Sequence, residues 1–582
     1  MRFLVPYIRR NIRPFLLAVL LLTVEALSEL MMPTLMAVMI DQGVAHNRMD
    51  VVMKWGGLML LITGIGAIGA AGRNVISGRV SQRFGSELRY DLYAKIQGLS
   101  FPSLNRFERA SLMTRLTQDV TQVQNFVNGL MRIFVKAPLL CIGSLILAIR
   151  LNPQLAVVPM AVVPVVGLLV YFNMKIGFRR FTLVQKAMDK VNLVLREYLS
   201  GVRVVKAFNR NVYEEGKFDA VNDAYRHEST AVMRTMSLFN PAMMLTVNLG
   251  IVGILWLGGF KVDTGQTDVG HIIAFVNYMT QILFSLMMIS FVFMMFVRAQ
   301  ASALRIGEVL EAEQGDQGGT EKAGEQEHRG SIEFCDVSFS YGTDSGTPVL
   351  KGITMLCKPG ETTGIIGSTG SGKSTLVHLI PGFYRPDSGV IRVDGMDVEK
   401  WNPESLREHV ALVPQKPLLF TGSIAENIRW GKEEATLEEI IEAAKLAEAH
   451  EFISSFPEGY EARVGQRGVN LSGGQKQRIS LARALVKQPD ILLLDDCTSA
   501  VDVSTEAKIK ASLRKVSQKT TILLIAQRIS SVVDADQIIV MEDGRIAAAG
   551  SHMQLMRESA IYREIYRSQY GEEGNYAFVN GS

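Results

Sequence analysis

A glycine-rich segment of the chain has the residue types and spacing of a phosphate-binding loop. It reads Gly-Ser-Thr-Gly-Ser-Gly-Lys-Ser over residues 367–374, after a strand-like run and before a helical one. In such a loop, backbone N–H groups curl around a triphosphate, Lys373 reaches the β- and γ-phosphates, and the Ser374 hydroxyl helps to hold Mg²⁺. The alternative, an ordinary Gly/Ser turn, requires neither the strand nor the helix. The predicted nucleotide contacts are Gly367, Ser368, Thr369, Gly370, Ser371, Gly372, Lys373, Ser374 and Thr375.

Two later segments carry groups suited to the same ligand. Residues 491–494 form an apolar run that ends in Asp495, and such an acid is the usual second contact to Mg²⁺ in enzymes with this loop. Residues 471–475 read Leu-Ser-Gly-Gly-Gln at the start of a helical run over 476–486. The free backbone amides at the start of a helix offer another surface for phosphate. We therefore expect both segments to meet the nucleotide.

These segments need an α/β domain to position them. From Ser331 to about Tyr570, β-rich runs such as residues 332–339 alternate with helical runs, which predicts an α/β P-loop NTPase domain over residues 331–570. Residues 314–330 are rich in Gly, Gln, Glu and Lys and predict a linker. We expect residues 571–582 to form a flexible tail.

The first 313 residues have a different character. Of the 582 residues 48% are apolar and only 20% are charged, below the roughly 25% typical of soluble domains. Six apolar runs are long enough for a transmembrane helix, which needs about 20 residues. They cover residues 15–40, 52–71, 131–149, 155–174, 238–260 and 271–297. This pattern predicts an all-α transmembrane domain over residues 1–313, in which Pro33, Pro159 and Pro164 kink helices rather than end them.

The distribution of basic residues orients these helices. Arg2, Arg9, Arg10 and Arg13 precede the first span, and the loops after spans one, three and five carry few Lys or Arg, so we expect both termini in the cytoplasm. Residues 73–126 and 175–237 are basic and helical in pattern. Folded as antiparallel arms of about 25 residues each, they would reach roughly 35 Å into the cytoplasm. The first run, with five more after it, is a transmembrane helix rather than a signal peptide.

Other classes of site are disfavoured. The net charge of +4 gives no general attraction for nucleic acid, and the eight histidines form no HExxH motif. Cys141, Cys335, Cys357 and Cys497 lie far apart without a CxxC pair, so Mg²⁺ with ATP is the only metal expected. Residues 64–69 match GxGxxG, but they lie in a predicted span, where small residues favour close helix packing.

Together these motifs make residues 331–570 resemble the ATPase domain of ABC transporters along its full length. The resemblance implies that Tyr341 stacks on adenine and that Gln415 contacts Mg²⁺ and the attacking water. In this family two such domains face head to tail, and each ATP lies between one P-loop and the signature of the other domain. The residues implied to act in trans are Ser472, Gly473, Gly474, Gln475 and Asp502, and the implied Mg²⁺ ligands are Ser374, Gln415 and Asp495.

Residues 1–313 are similar to an exporter-type half transporter. Residues 105–119 and 197–208 match the family's coupling regions. The resemblance implies that the tips of the long arms seat short helices on the ATPase domains. Closure of these domains would then shift the transmembrane cavity between inward-open and outward-open forms.

The sequence departs from the family at three positions. Asp496 stands where a glutamate normally positions or deprotonates the attacking water, and Gln527 stands where a histidine contacts the γ-phosphate. Gln466 replaces a glutamate common in exporters. The first two changes predict slow hydrolysis at this chain's own P-loop, while the signature remains intact. This combination resembles the degenerate subunit of bacterial heterodimeric multidrug exporters; the alternative is a working homodimer that tolerates both changes.

Several polar residues in the spans are candidate substrate contacts. Glu25 and Glu29 share a helix face in span one, where they would recognise cationic amphipathic drugs, pair internally with Lys or Arg, or lie near the outer interface. Asn277 and Gln281 in span six offer hydrogen bonds to a substrate or to another helix. Methionines such as Met279 and Met287 favour helix packing over a promiscuous site.

The sequence therefore predicts ATP-driven efflux of hydrophobic or amphipathic drugs across a bacterial plasma membrane. The expected partners are a second half transporter carrying the catalytic glutamate and histidine, membrane lipid and small hydrophobic substrates. Two alternatives are a lipid or peptide exporter and a mainly nucleotide-sensing regulatory subunit.

Overall fold

The structure is a computed structural model that describes residues 5–313, 319, 321, 329–342 and 348–570. It divides into two compact units. The membrane unit contains Met1–Gln97 and Glu108–Ala312, and the ATPase unit contains Gly98–Phe107 and Glu313–Ser582. The expected tail over 571–582 lies outside the described residues, as does the expected linker apart from residues 319, 321, 329 and 330.

Long apolar helices build the membrane unit. Within the described residues, six helical segments are long and apolar enough to cross a membrane, and the six predicted runs fall on them, which confirms this part of the predicted fold. Their bounds are Ile12–Val44, Met49–Gln97, Arg109–Leu151, Val157–Ala207, Asn211–Asp263 and Val269–Glu311. Helices continue through Pro33 and Pro164, as expected from the surrounding apolar pattern.

The individual elements of the membrane unit include short breaks in the regular α-helix. The α-helices are α1 (Val5–Arg10), α2 (Ile12–Met39), α3 (Met49–Gln97), α5 (Arg109–Thr114), α6 (Val120–Gly129), α7 (Lys136–Leu151), α8 (Val157–Ala207), α9 (Asn211–Ser237), α10 (Phe239–Asp263) and α11 (Val269–Glu311). One further helix, α4 (Phe101–Asn105), belongs to the ATPase unit. Turns of π-helix cover Ile40–Val44, Arg115–Asp119 and Leu130–Phe134.

The arms are extensions of spanning helices. Helix α8 runs without interruption from the membrane run to Ala207, and α9 packs back against it. At 1.5 Å per residue, the part of α8 beyond residue 175 is about 50 Å long, so this arm is longer than the predicted 35 Å. The difference arises because the connection to α9 takes only residues 208–210, so nearly the whole segment 175–237 is helical.

Small residues allow α2 and α3 to pack closely. A Cβ atom added at Gly66 would lie 2.9 Å from the Cβ of Ser28, and one at Gly69 would lie 3.2 Å from the carbonyl oxygen of Leu21. The first contact is closer than Cβ atoms adopt and the second is unusually tight, so Gly66 and Gly69 of the GxGxxG segment act in helix packing, as its position in a span indicated.

The ATPase unit is an α/β structure with a mostly parallel central sheet. Its strands are β1 (Ile332–Phe339), β2 (Leu350–Cys357), β3 (Thr362–Gly367), β4 (Ser388–Val393), β5 (Met396–Asp397), β6 (Val410–Val413), β7 (Gly422–Ser423), β8 (Arg463–Val464), β9 (Ile491–Asp495), β10 (Thr521–Ile525), β11 (Gln537–Glu542) and β12 (Arg545–Gly550). The helices are α12 (Lys373–Leu379), α13 (Pro403–His409), α14 (Ile424–Arg429), α15 (Leu437–Leu446), α16 (His450–Ser454), α17 (Gly473–Leu485), α18 (Val503–Val516), α19 (Ile529–Val532), α20 (His552–Glu558) and α21 (Ala560–Tyr570).

The strand order of the central sheet determines where the functional loops lie. The order is β12-β11-β3-β10-β9-β6, and the pairs from β11 to β6 are all parallel. Every residue of β9 and β10 is buried, as expected for strands covered on both faces. Because parallel strands end at the same edge, the loops after β3, β6, β9 and β10 meet there. A four-stranded antiparallel sheet, β2-β1-β4-β5, and the pair β7-β8 complete the unit.

Candidate nucleotide-binding site

The glycine-rich loop follows β3 and leads into α12. Its end residue, Gly372, has φ +97°, and a Cβ there would lie 2.7 Å from the side chain of Leu350. A Cβ at Gly367 would lie 2.1 Å from the Met541 carbonyl oxygen, so this position also excludes a side chain. The Lys373 ammonium donates hydrogen bonds to the carbonyl oxygens of Gly367 and Ser368 at 2.9 and 2.6 Å. The loop and its lysine thus fold as one compact turn.

Two of the predicted Mg²⁺ ligands, Ser374 and Asp495, contact each other directly. Ser374 Oγ donates a hydrogen bond to Asp495 Oδ1 at 3.0 Å, which joins the start of α12 to the end of β9. Burial raises the pKa of the Asp495 carboxyl, while the Ser374 bond and the positive Lys373 oppose that rise. A hydroxyl and a carboxylate oxygen side by side suit a hard divalent cation.

Asp496 is the point where three loops converge. Its Oδ2 accepts hydrogen bonds from Gln527 Nε2 at 2.9 Å and from Gln415 Nε2 at 3.2 Å. Asp496 directly follows β9, Gln415 comes two residues after β6, and Gln527 comes two residues after β10, so the sheet edge brings them together. The backbone of Asp496 is left-handed, with φ +49°, which Asp tolerates better than most residues.

The surroundings of Asp496 disfavour the charged form of its carboxyl. Burial raises the pKa of its carboxyl, the hydrogen bond from Gln415 lowers it in part, and the neighbouring Asp495 adds to the rise. Burial likewise lowers the pKa of Lys373, against the attraction of Asp495 and Asp496. The site therefore holds two carboxylates and one ammonium in a partly dry environment.

Tyr341 lies beside the loop. Its hydroxyl donates a hydrogen bond to Thr375 Oγ1 at 3.1 Å, and its ring meets the ring of Phe339 edge-on, with centroids 4.9 Å apart. The residue is 43% exposed. Its ring is thus held on one side and open on the other, as stacking on a base requires.

The signature segment begins α17 with a capping box. Ser472 Oγ accepts a hydrogen bond from the Gln475 backbone N–H at 3.3 Å, and Gln475 Oε1 accepts one from the Ser472 N–H at 2.9 Å. A Cβ at Gly474 would lie 2.9 Å from the carbonyl oxygen of Ala500. The two glycines therefore let the start of this helix approach the loop that follows β9.

The loop after β9 ends at Asp502. Asp502 caps α18 by accepting a hydrogen bond from the Thr505 N–H at 2.9 Å, and bonds from Ser504 and Thr505 lower the pKa of its carboxyl. Gln466 is exposed in a short 3₁₀ turn over Gln466–Gly468.

The membrane unit gives a specific result for the candidate substrate residues. Glu25 Oε2 lies 2.8 Å from Arg73 Nε, and Lys136 Nζ donates to Glu25 Oε1 at 2.8 Å and to Glu29 Oε1 at 2.5 Å. Of the alternatives for Glu25, internal pairing with Arg and Lys is the one observed. The side chain of Glu29 remains 43% exposed. These four residues form a neutral cluster, which we call the charge quartet.

The polar residues of α11 differ from one another. Gln281 Nε2 donates to the Glu29 carbonyl oxygen at 3.1 Å, and its Oε1 accepts from Ser144 Oγ at 3.0 Å, so it connects three helices. Asn277 is exposed and donates only to the carbonyl oxygen of Ile273, one turn earlier, among its described contacts. Met279 is fully buried, as the packing interpretation indicates.

Sequence reasoning missed several residues that support these sites. Arg73 and Lys136 complete the charge quartet, and a basic residue at the end of an apolar run was the available signal. Gln477 Oε1 accepts from the Ala500 N–H at 3.0 Å, and its Nε2 donates to Ser499 Oγ at 3.2 Å. Gln569 accepts from the Ile529 N–H at 2.8 Å and donates to the Gln527 carbonyl oxygen at 2.7 Å, a link between α21 and the Gln527 loop that no local pattern indicates.

The fold and the site define a class of protein. A phosphate-binding loop with converging carboxylates, a signature helix and six apolar helices belong to a membrane transporter driven by ATP. The family model described as ABC transporter transmembrane region matches residues 15–298, and the model described as ABC transporter matches residues 350–499. The chain belongs to the ABC transporter family, as an exporter-type half transporter with an ATP-binding domain.

Individual relatives match along nearly the whole chain. It is 41% identical to the uncharacterized ABC transporter ATP-binding protein YfiB of Bacillus subtilis, over 96% of this chain and 97% of that protein. It is 38% identical to the uncharacterized ABC transporter ATP-binding protein Rv1273c of Mycobacterium tuberculosis, over 97% and 98%. A solved bacterial Atm1-family ABC exporter with ATP bound superposes with a TM-score of 0.80 at 26% identity, covering 97% of this chain and 99% of that one.

Proposed function

We propose that this chain is one half of a heterodimeric exporter of hydrophobic and amphipathic compounds in a bacterial plasma membrane. Its own P-loop binds ATP and hydrolyses it slowly. The observation that carries this proposal is the Asp496 carboxylate, which takes the place of a glutamate and accepts hydrogen bonds from two glutamine amides.

The geometry of Asp496 argues against efficient hydrolysis. The aspartate is one methylene shorter than glutamate, and a displacement of about 1 Å costs roughly 100-fold in rate. Loss of a positioned general base costs about 10²–10⁴-fold. The hydrogen bonds from Gln415 and Gln527 both end on Oδ2 of Asp496, so this oxygen is already engaged and less free to accept a proton from the attacking water. Gln527 directs its amide nitrogen at Asp496 and cannot carry the positive charge of a histidine.

The signature segment supports a second, active site. The capping box fixes the Ser472 hydroxyl and leaves the amides of Gly473 and Gly474 at the start of a 13-residue helix. Such a helix start binds phosphate well. In the proposed dimer these groups, with Asp502, act on the ATP held by the partner's P-loop, where most hydrolysis occurs.

Mg²⁺ fits the site at this chain's own P-loop. Ser374, Asp495 and Gln415 supply a hydroxyl, a carboxylate and an amide oxygen, which are the donors that this ion prefers. When bound, the ion neutralises charge on the β- and γ-phosphates. The chain's own residues bind the triphosphate through the loop amides and Lys373, and Gln415 and Gln527 orient the carboxylate of Asp496.

The export of amphipathic compounds is supported by the exposed polar groups of the membrane unit. Glu29 pairs with Lys136 but its side chain remains 43% exposed, and Asn277 is exposed on an otherwise apolar helix, whereas Glu25 is buried in its ion pairs and Gln281 serves internal contacts. An accessible acid next to apolar surface suits a cationic amphipathic compound. Replacing Glu29 with Gln should reduce stimulation of ATPase activity by such a compound, here ethidium, more than replacing the buried Ser285 with Ala does.

The orientation of the membrane unit is part of the proposal. We place both termini in the cytoplasm and the segment 41–51 outside. A cysteine introduced at Asn47, which is exposed, should react with a membrane-impermeant maleimide in intact cells. Reaction only after the cells are lysed would reverse the orientation.

The main experiment compares Mg²⁺-dependent ATPase turnover of the purified chain with that of two variants, with and without a candidate partner subunit. Asp496→Asn removes the remaining carboxylate and keeps the side-chain size. Asp496→Glu with Gln527→His restores the family's residues. We expect the wild type alone to match Asp496→Asn, and the double variant or the partner to raise turnover at least tenfold. Robust turnover of the wild type alone, abolished by Asp496→Asn, would overturn the proposal in favour of a homodimer.

A further inference from the structure

A short helix of the ATPase unit is connected in the chain to two long helices of the membrane unit. Helix α4 (Phe101–Asn105) lies between α3 and α5 in sequence, and residues 98–107 group with the ATPase unit. Ser100 caps this helix by accepting a hydrogen bond from the Ser103 N–H at 3.2 Å. Residues 98–107 are therefore the direct covalent connection from this unit to α3 and α5.

Tyr384 holds this segment. Asn105 Nδ2 donates a hydrogen bond to the Tyr384 hydroxyl at 2.9 Å, and the Phe101 ring lies 6.2 Å from the Tyr384 ring and 4.5 Å from the Phe383 ring. One tyrosine thus contacts both ends of α4, through its hydroxyl and through its ring.

The other side of Tyr384 faces the residue proposed to stack on adenine. The rings of Tyr384 and Tyr341 are 5.1 Å apart and nearly perpendicular, at 88°. Tyr341 in turn bonds to Thr375 of α12 at 3.1 Å. The ring of Phe339 lies near both tyrosines, at 5.6 Å from Tyr384 and 4.9 Å from Tyr341. These contacts form a continuous path from α4 to the phosphate-binding loop.

We propose that Tyr384 is the positioning residue that couples occupancy of the adenine site to the placement of residues 98–107. A base stacked on Tyr341 fixes the plane of that ring, and an edge-to-face contact depends on orientation, so the Tyr384 ring is fixed with it. The Tyr384 hydroxyl then sets the position of Asn105. Tyrosine suits this role because its rigid ring has only two side-chain torsions.

Coupling between two sites is reciprocal. If ATP binding orders residues 98–107 through Tyr384, ordering of that segment must strengthen ATP binding by the same factor. A tyrosine that only filled space would change stability and leave this coupling intact. The proposal rests on the proposed stacking of Tyr341 on adenine, which Tyr341→Leu tests separately.

The test uses the full-length chain in nanodiscs of phosphatidylethanolamine and phosphatidylglycerol, together with its partner subunit where one is required. Hydrogen–deuterium exchange of the peptide over residues 98–107 is measured with and without ATP, and affinity is measured with a fluorescent mant-ATP. Lys373→Ala, which removes lysine contact with the phosphates, gives the background from other sites. Tyr460→Phe is the matched control, since it also removes a hydroxyl bonded at 2.9 Å, here to His450.

The variants separate the two halves of the path. Tyr384→Phe keeps the ring, and Asn105→Ala keeps Tyr384 intact. Each should reduce ATP-dependent protection of residues 98–107 at least threefold and weaken mant-ATP binding by no more than the same factor. Combining them should add little, because both remove the same hydrogen bond. Tyr384→Leu removes the edge contact with Tyr341 and should also weaken mant-ATP binding about fivefold.

Two results would overturn different statements. Full ATP-dependent protection in Tyr384→Phe and Asn105→Ala, equal to that in Tyr460→Phe, would overturn the coupling role of Tyr384. Unchanged mant-ATP affinity in Tyr341→Leu would instead overturn the adenine role of Tyr341. If Tyr384→Leu does not fold, the two conservative variants still decide the first question.

Discussion

Removal of Arg73 provides a direct test of the charge quartet. The side chains of Arg73 and Glu25 are only 8% and 9% exposed, so Arg73→Met leaves Glu25 buried with half of its counter-charge. Breaking a buried ion pair in this way costs about 3–5 kcal/mol. For a unit of this size 1 kcal/mol corresponds to about 2–4 °C in melting temperature, so a decrease of roughly 6–20 °C is expected.

The same helix offers a matched control. Arg83 pairs with Glu87 at 2.9 Å, but its side chain is 72% exposed. Exposed pairs contribute about 0–1 kcal/mol, so Arg83→Met should lower the melting temperature by less than about 4 °C. Both variants lose one arginine and gain one methionine on α3, and they differ in burial.

The assay is the fraction of transporter that remains monodisperse after heating, followed by fluorescence-detected size-exclusion chromatography. The double variant Glu25→Gln with Arg73→Met leaves Glu29 and Lys136 as a neutral pair, so it should recover more than half of the loss caused by Arg73→Met. An Arg73→Met effect no larger than that of Arg83→Met, or strictly additive effects of the two substitutions, would refute the pairing. Such a result would favour the alternative role of Glu25 as a substrate contact.

Two further predictions concern packing and the Gln527 loop. Gly66→Ala should destabilise the membrane unit by about 1–3 kcal/mol in the same heating assay, because the new Cβ would lie 2.9 Å from Ser28, whereas Gly64→Ala, with nothing within 4 Å, should not. Gln569→Ala should reduce severalfold the turnover gained by Asp496→Glu with Gln527→His, since both hydrogen bonds to the loop are lost. Gln569→Glu keeps the acceptor for the Ile529 N–H and should have the smaller effect; equal turnover in both Gln569 variants would contradict this account.

The helices and strands predicted correctly from the sequence are those that depend on the pattern of nearby residues. Apolar runs long enough for a bilayer indicated the six membrane helices, since each span depends on its own composition. The strand before residues 367–374 and the helix after them were expected from glycines, a lysine and a serine at fixed spacing, a pattern that few other structures require. The capping box of Ser472 and Gln475 was also readable from its spacing, although the prediction used these residues for nucleotide binding and not for capping.

Contacts between distant segments could not be predicted in this way. The pairing of Glu25 with Arg73 and Lys136 depends on how three helices pack, and the sequence left substrate binding and internal pairing equally open. The meeting of Gln415 and Gln527 on one oxygen of Asp496 follows from the strand order, which no single segment encodes. The length of the second arm was underestimated because the sequence pattern did not reveal that only residues 208–210 separate its two helices.

Helix α8 has a mechanical consequence. It is one element of 51 residues with Pro164 near its start. A proline removes a backbone hydrogen bond and makes a natural hinge. At 1.5 Å per residue the helix is about 76 Å long, so a tilt of about 5° around that hinge moves its far end by roughly 6 Å. A lever of this length converts small changes of packing among the apolar helices into displacements the size of a side chain at the opposite end.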